Sequence, residues 1–181
     1  SWNRLVVLCA AGLGLPLAAV AAELPKVDLA RAAEISGGCC ALCHGAEGDS
    51  SSPLYPRLAG QHHQYIAKQL GDFKSGRRKS DTMNGMAQDL TPEEMLALGV
   101  YFEQKPTKPR EARDADLAAV GRYIFHRGND FSGVAACAGC HGDKGHGTEQ
   151  LPRLAGQVPR YTESQLKSFN TRERTNDNEV M

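Results

Sequence analysis

The chain has 181 residues, enough for one ordinary domain or two small ones. Its 21 Lys+Arg balance 21 Asp+Glu with no long single-sign run, which excludes the basic footprint of a nucleic-acid binder. A domain of ~80 residues buries only a small core, so two small halves need something besides their own side chains to close on.

Residues 1–22 read as an export signal: Arg4, an apolar run from Leu5 to Val20, then the small residues Ala21 and Ala22 before Glu23. Cleavage there leaves 20 basic against 21 acidic side chains, once Arg4 is gone. The alternative is a retained membrane anchor. Its run of about 18 residues is marginal for a span, and Gly12, Gly14 and Pro16 weaken it as a helix. Cys9 follows Leu8 where a lipoprotein site has a small residue, and reads as an apolar signal residue.

A first helix is expected over 27–36, ended by Gly37 and Gly38, followed by Cys40-Ala41-Leu42-Cys43-His44. A second is expected over 62–75, ended by Gly76. A loop with Met83 and Met86 comes next. Thr91-Pro92-Glu93-Glu94 then joins a capping box to proline at the first helical position, with Met95, Leu98, Tyr101 and Phe102 at helical spacing. Pro106 and Pro109 mark an extended linker, with the boundary near Thr107.

The second half repeats the first. A helix over 114–126 precedes Cys137-Ala138-Gly139-Cys140-His141, and a helix over 159–170 follows. Pro56-Arg57-Leu58-Ala59-Gly60-Gln61 recurs as Pro152-Arg153-Leu154-Ala155-Gly156-Gln157. Tyr65, Gln69, Leu70 and Phe73 recur as Tyr161, Gln165, Leu166 and Phe169. Met181 follows without a counterpart of the helix that starts at Thr91, so the second half is expected to lack its closing helix. With no alternating run of β-branched residues, the architecture is expected to be mainly α-helical.

Two thiols placed to add to two vinyl groups, beside an imidazole that meets iron on the same face, are what covalent haem attachment requires. Cys40/Cys43/His44 and Cys137/Cys140/His141 meet it. Zinc is the competing reading, but it needs two cysteine pairs brought together, whereas each pair here has its own histidine within its own repeat. A redox disulfide is the other. The export signal agrees with haem c, which is normally assembled outside the bacterial cytoplasm, and a periplasmic location is expected.

Cys39 has Ala136 as its counterpart and reads as a small buried side chain. A thioether is the usual sixth ligand of an electron carrier. Spacing leaves Met83 and Met86 both open in the first half, while Met181 is the only methionine after Cys140 and its placement matches Met83 better. His62, His63, His126 and His146 do not recur at matched positions and read as exposed or locally bonded.

Cys-x-x-Cys-His-Gly, Pro-Arg-Leu-Ala-Gly-Gln with a following tyrosine, and an Arg-rich stretch leading to methionine are each present twice. On these motifs the chain resembles the cytochrome c4 family of di-haem periplasmic cytochromes, over almost everything after Val27. The resemblance implies an all-α fold of two tandem class I cytochrome c domains, 23–107 and 108–181, with two covalently bound haem c groups.

It further implies Met83 as the first sixth ligand, with Met86 as packing, and Met181 as the second. By the same pattern the Pro56 and Pro152 carbonyls orient the two histidines. Arg57 and Arg153 are candidates for pairing with haem propionates. The implied activity is electron transfer, one electron per haem, from a respiratory donor such as a cytochrome bc complex to a terminal oxidase. Membrane association would run through residues 1–22. A cytochrome subunit of a flavocytochrome sulfide dehydrogenase-like complex is the related alternative. A di-haem peroxidase needs an exchangeable sixth position, which two methionine-ligated irons do not offer.

Overall fold

The computed structural model describes residues 24–177 and 181, so the segment 1–22, read as an export signal or anchor, lies outside the described residues. Among the described residues the regular structure is helical, with one isolated bridge between Asn129 and Val134. No described helix is long and apolar enough to cross a membrane.

The first unit is built on α1 (Leu29–Ile35), α3 (His63–Lys74) and α5 (Pro92–Glu103). Asp28 caps α1 by accepting from the Arg31 N–H at 2.8 Å. Thr91 and Glu94 complete the expected capping box on α5, with Pro92 at its first position. α5 packs against both α3 and α1, and Ala32, Ile66, Ala97, Leu98 and Phe102 form the core between them. Gly99 makes the α3–α5 approach possible: a Cβ there would lie 2.5 Å from the His63 carbonyl oxygen.

α1 does not stop at Gly37 and Gly38. The chain widens into a π-helical turn, Ser36–Cys40, and runs directly into α2 (Ala41–His44). Neither glycine takes the positive φ of a helix-ending residue. A Cβ at either would meet nothing within 4 Å, and π-turns are frequent at functional sites. The methionine loop also differs from expectation, since Met83–Met86 forms a one-turn helix, α4.

The second unit has α6 (Ala115–Arg127), α7 (Ala138–His141) and α8 (Pro159–Asn170). Asp114 caps α6, and α8 begins at Pro159. No counterpart of α5 is present among the described residues. Neither α6 nor α8 contains a buried residue, and Leu117, Val120 and Leu166 stand exposed on them. Ile124, Phe125, Leu154 and Phe169 instead line a cavity that is continuous with one in the first unit.

The two units meet through their own repeat. Gln61 Nε2 donates to the Arg153 carbonyl at 3.0 Å, and Gln61 Oε1 accepts from the Arg153 N–H at 2.8 Å. Gln157 does the same with Arg57, at 2.9 and 2.7 Å. The contact is self-complementary, like a two-fold dimer interface formed within one chain.

Candidate haem sites

Each cysteine motif sits in a helical turn whose wiring is the same in both units. Cys40 and Cys137 are the N-caps of α2 and α7, with (φ, ψ) of (−74°, −36°) and (−61°, −34°). Gly45 and Gly142 end these turns at φ +81° and +76°, conformations that favour glycine. Beyond them, the Leu58 N–H donates to the Gly48 carbonyl and the Leu154 N–H to the Gly145 carbonyl, both at 2.8 Å. This returning loop brings Pro56 and Pro152 back to the histidines.

His44 Nδ1 lies 2.8 Å from the Pro56 carbonyl oxygen, and His141 Nδ1 lies 2.9 Å from that of Pro152. A carbonyl oxygen only accepts, so Nδ1 carries the proton and the lone pair is on Nε2. Both rings are buried, 7 % and 5 % exposed. Burial pushes the His44 pKa below its ordinary value against the opposing pull of the Pro56 carbonyl, which keeps the ring neutral and able to bind a metal.

A cavity of about 2600 Å³ is lined by Cys40, Cys43 and His44, by Cys137, Cys140 and His141, and by Met83, Met86 and Met181. One small-molecule site typically occupies ~300–1000 Å³, so this space suits two large groups better than one. Leu70, Leu98, Phe102, Ile124, Phe125 and Phe169 give it apolar wall where a packed core would otherwise be. The donors fit haem c: paired thiols, a neutral imidazole fixed in orientation and a thioether in each unit. The zinc reading fails on geometry, since no group of three or more His, Cys, Asp or Glu among the described residues could hold a metal ion.

Met83 opens α4 and is half-buried, whereas Met86 is 42 % exposed. Cys39 Sγ donates to the Ile35 carbonyl at 3.2 Å and lies 3.7 Å from Cys40 Sγ. Burial, with Cys39 as a lesser cause, pushes the Cys40 thiol up to about 12.

Arg57, a candidate propionate partner, lines the cavity, and its Nε has no hydrogen-bond partner among the described residues. It is buried, ion-paired with Asp49 at 2.5 Å, and donates to the Lys108 carbonyl. Arg153 is half-buried and its Nε donates to the Ala155 carbonyl at 3.3 Å.

The arginines that converge between the units are Arg78 and Arg174, both buried and both on the cavity wall. Arg78 donates to Gln69 (2.6 Å), Tyr161 (2.9 Å) and Gln165 (2.8 Å). Arg174 donates to Gln165 (2.7 Å) and Tyr65 (2.9 Å). The signal for them is the repeat itself, because they share the 96-residue displacement of Tyr65/Tyr161 and Gln69/Gln165. His62 and His63 are locally bonded, His62 Nε2 to the His146 carbonyl at 2.8 Å and His63 Nδ1 to Glu103.

The Cytochrome c family model matches the chain twice, over residues 29–128 and 125–178. With the paired thiol–imidazole sites, this makes the chain a di-haem c-type cytochrome. Cytochrome c4 of Thiocapsa roseopersicina is 42 % identical over 160 residues, covering 86 % of this chain and 82 % of that protein. The crystal structure of reduced recombinant cytochrome c4 from Pseudomonas stutzeri superposes with a TM-score of 0.77 at 34 % identity, over 83 % of this chain and 84 % of that one. A thiosulfate dehydrogenase electron acceptor of Thiomonas intermedia (strain K12) is 39 % identical over 142 residues, 76 % of this chain and 65 % of that protein. The chain belongs to the cytochrome c4 family. It carries two covalently bound haem c groups and is an electron carrier, not an enzyme.

Proposed function

We propose that this cytochrome shuttles electrons in the periplasm, one per haem, from a respiratory donor such as a cytochrome bc complex to a terminal oxidase. In this reading Cys40 and Cys43 hold the first haem and Cys137 and Cys140 the second, in domains spanning 23–107 and 108–181. His44 and Met83 are the axial ligands of one iron, and His141 and Met181 those of the other. Residues 1–22 direct export or tether the protein to the membrane. Bound haem supplies the one-electron couple; the chain's residues bind it, orient its imidazole ligand and exclude water.

The observation that carries the reading is the pair of buried histidines with Nδ1 tied to a proline carbonyl, opening on one cavity that also holds both methionines. A thioether opposite imidazole raises the potential and leaves no position for substrate, as a carrier requires. The test is the weak red-edge absorption band of Met–Fe(III). Two methionine-ligated irons, both insensitive to peroxide, are expected; a bis-histidine spectrum or peroxide turnover would refute the assignment.

A second reading is favoured by the similarity to thiosulfate dehydrogenase electron acceptors: this chain accepts electrons from a dehydrogenase as its cytochrome partner. Stopped-flow reduction of the oxidised protein by a bc complex and by a thiosulfate dehydrogenase, compared at equal concentrations, separates the two. The physiological donor is the one that reduces it at the faster second-order rate.

A further inference from the structure

The interface between the units departs from its two-fold pattern where α3 meets Asn176 and Asp177. Arg78 and Arg174 exchange equivalent bonds with the tyrosine and glutamine of the opposite unit, but on α3 the first unit adds two side chains that have no equivalent on α8. Lys68 and Asp72 are displaced by 96 positions from Ser164 and Ser168.

Lys68 Nζ donates at 2.8 Å both to the Asn176 carbonyl and to Asp177 Oδ1. The buried Asp72 accepts from Lys68 at 2.6 Å and from Asn176 Nδ2 at 2.7 Å. Ser164, by contrast, donates back to the Tyr161 carbonyl of its own helix.

The methionine segments differ accordingly. In the first unit the segment before Met83 is braced from within, since Asn84 accepts from the Ser80 N–H at 2.6 Å and donates to the Phe73 and Arg78 carbonyls. Asp81, the counterpart of Asp177, stands exposed. In the second unit Asn176 and Asp177, which precede Met181 in the chain, are gripped by α3 of the other unit.

We infer that Lys68 and Asp72 are positioning residues for the second haem: the first unit holds in place the chain that presents Met181, and the second unit returns no such service to Met83. The inference rests on Met181 being the second iron's ligand. Thioether sulfur is a weak, neutral ligand, so its occupancy at iron depends on how firmly its segment is held. Contacts to charged groups are the stronger kind of hydrogen bond, and three link α3 to Asn176 and Asp177 through Lys68 and Asp72. Any event that parts the two units therefore loosens the second haem's methionine and spares the first.

The experiment uses the full-length, haem-loaded protein and imidazole as the competing ligand. Titrating imidazole into the ferric protein displaces each methionine, and the paramagnetically shifted methyl signals of the two ligated methionines in the ferric NMR spectrum report them separately. Met181→Ala identifies the second haem's signal; if both methionine signals persist in that variant, the ligand assignment fails and the inference falls with it.

Lys68→Ser is the principal variant, because its side chain is 42 % exposed and the buried Asp72 keeps its ion pair with Arg77 at 2.7 Å. It should bind imidazole about tenfold more tightly at the second haem and unchanged at the first, a factor equivalent to about 1.4 kcal/mol. The Lys68→Ser/Asp72→Ser pair should widen the gap, and Lys68→Arg should restore most of the lost selectivity. Unchanged affinities, or equal changes at both haems, would overturn the inference even with Met181 confirmed as ligand.

Discussion

The Gln61 side-chain amide pairs with the backbone of Arg153, giving one hydrogen bond and taking another. Gln157 does the same to Arg57 from the other side. Both glutamines close the Pro-Arg-Leu-Ala-Gly-Gln repeat, so one motif turns the chain beneath its own histidine and also joins the two units. Gln61→Leu removes both bonds, and with them the one Oε1 accepts from the His62 N–H, and leaves the Arg153 N–H and carbonyl without them at a part-buried position. A loss of about 2 kcal/mol is expected. Guanidinium unfolding of the haem-loaded protein should show a lower midpoint with an unchanged slope.

Gly99 and His63 set the spacing of α5 on α3. A methyl group at Gly99 would meet the His63 carbonyl oxygen at 2.5 Å and its Cα at 2.9 Å, and both are backbone atoms that cannot turn aside. Gly99→Ala should cost about 1–3 kcal/mol through overpacking. At Gly71, within α3 and off the cavity wall, a Cβ would meet nothing within 4 Å. Gly71→Ala should instead gain roughly 0.5–1 kcal/mol from helix propensity. Calorimetry of the two variants should therefore shift the melting temperature in opposite directions.

What can be read from the sequence follows from where each constraint resides. The two Cys-x-x-Cys-His sites are local covalent chemistry at fixed spacing, and Thr91-Pro92-Glu93-Glu94 carries its own capping signal, so these are legible residue by residue. Gly37 and Gly38 show the limit: a glycine pair reads as a stop, yet both keep negative φ and carry the chain through a π-turn into Cys40. α4 is a single turn, too short to show a period. The ion pair of Arg57 with Asp49 is not legible either, because Asp49 comes near only through the loop between them. The interface is harder still. The repeat displays Gln61, Tyr65, Gln69 and Arg78 with their counterparts, but nothing local says that each bonds across to the other copy.

The interface should weaken in acid through Asp177. Burial works to raise its pKa, and the hydrogen bond from Lys68 with the charge of Arg174 outweighs that and holds it below the ordinary value of 3.8. A folded pKa below the unfolded one means that the contribution to stability is complete above the unfolded value and is lost as pH falls through the folded value. Asp177→Asn should therefore be less stable than the unchanged protein near neutrality, and the gap should close as pH falls below about 3.8. Unfolding midpoints of both proteins across an acid series provide the measurement; a gap that persists at the lowest pH would assign the effect to shape, not charge.

Met83 and Met86 lie one helical turn apart on the same cavity wall, and only one can complete the first iron's coordination. Met83 is the more buried and begins the segment braced by Asn84, whose side chain fixes Ser80, Phe73 and Arg78 around it. Met86 is 42 % exposed, at the far end of the same turn. Replacing the thioether removes the ligand that raises the potential, so Met83→Ala should lower the first haem's potential by on the order of a tenth of the ~0.8 V range that axial ligands set. It should also remove one of two methionine–iron bands. Met86→Ala should retain both bands and shift the potential little. A redox titration of the two variants decides it, because a reversed pattern would move the ligand to Met86, and equal small shifts would show that neither methionine binds iron.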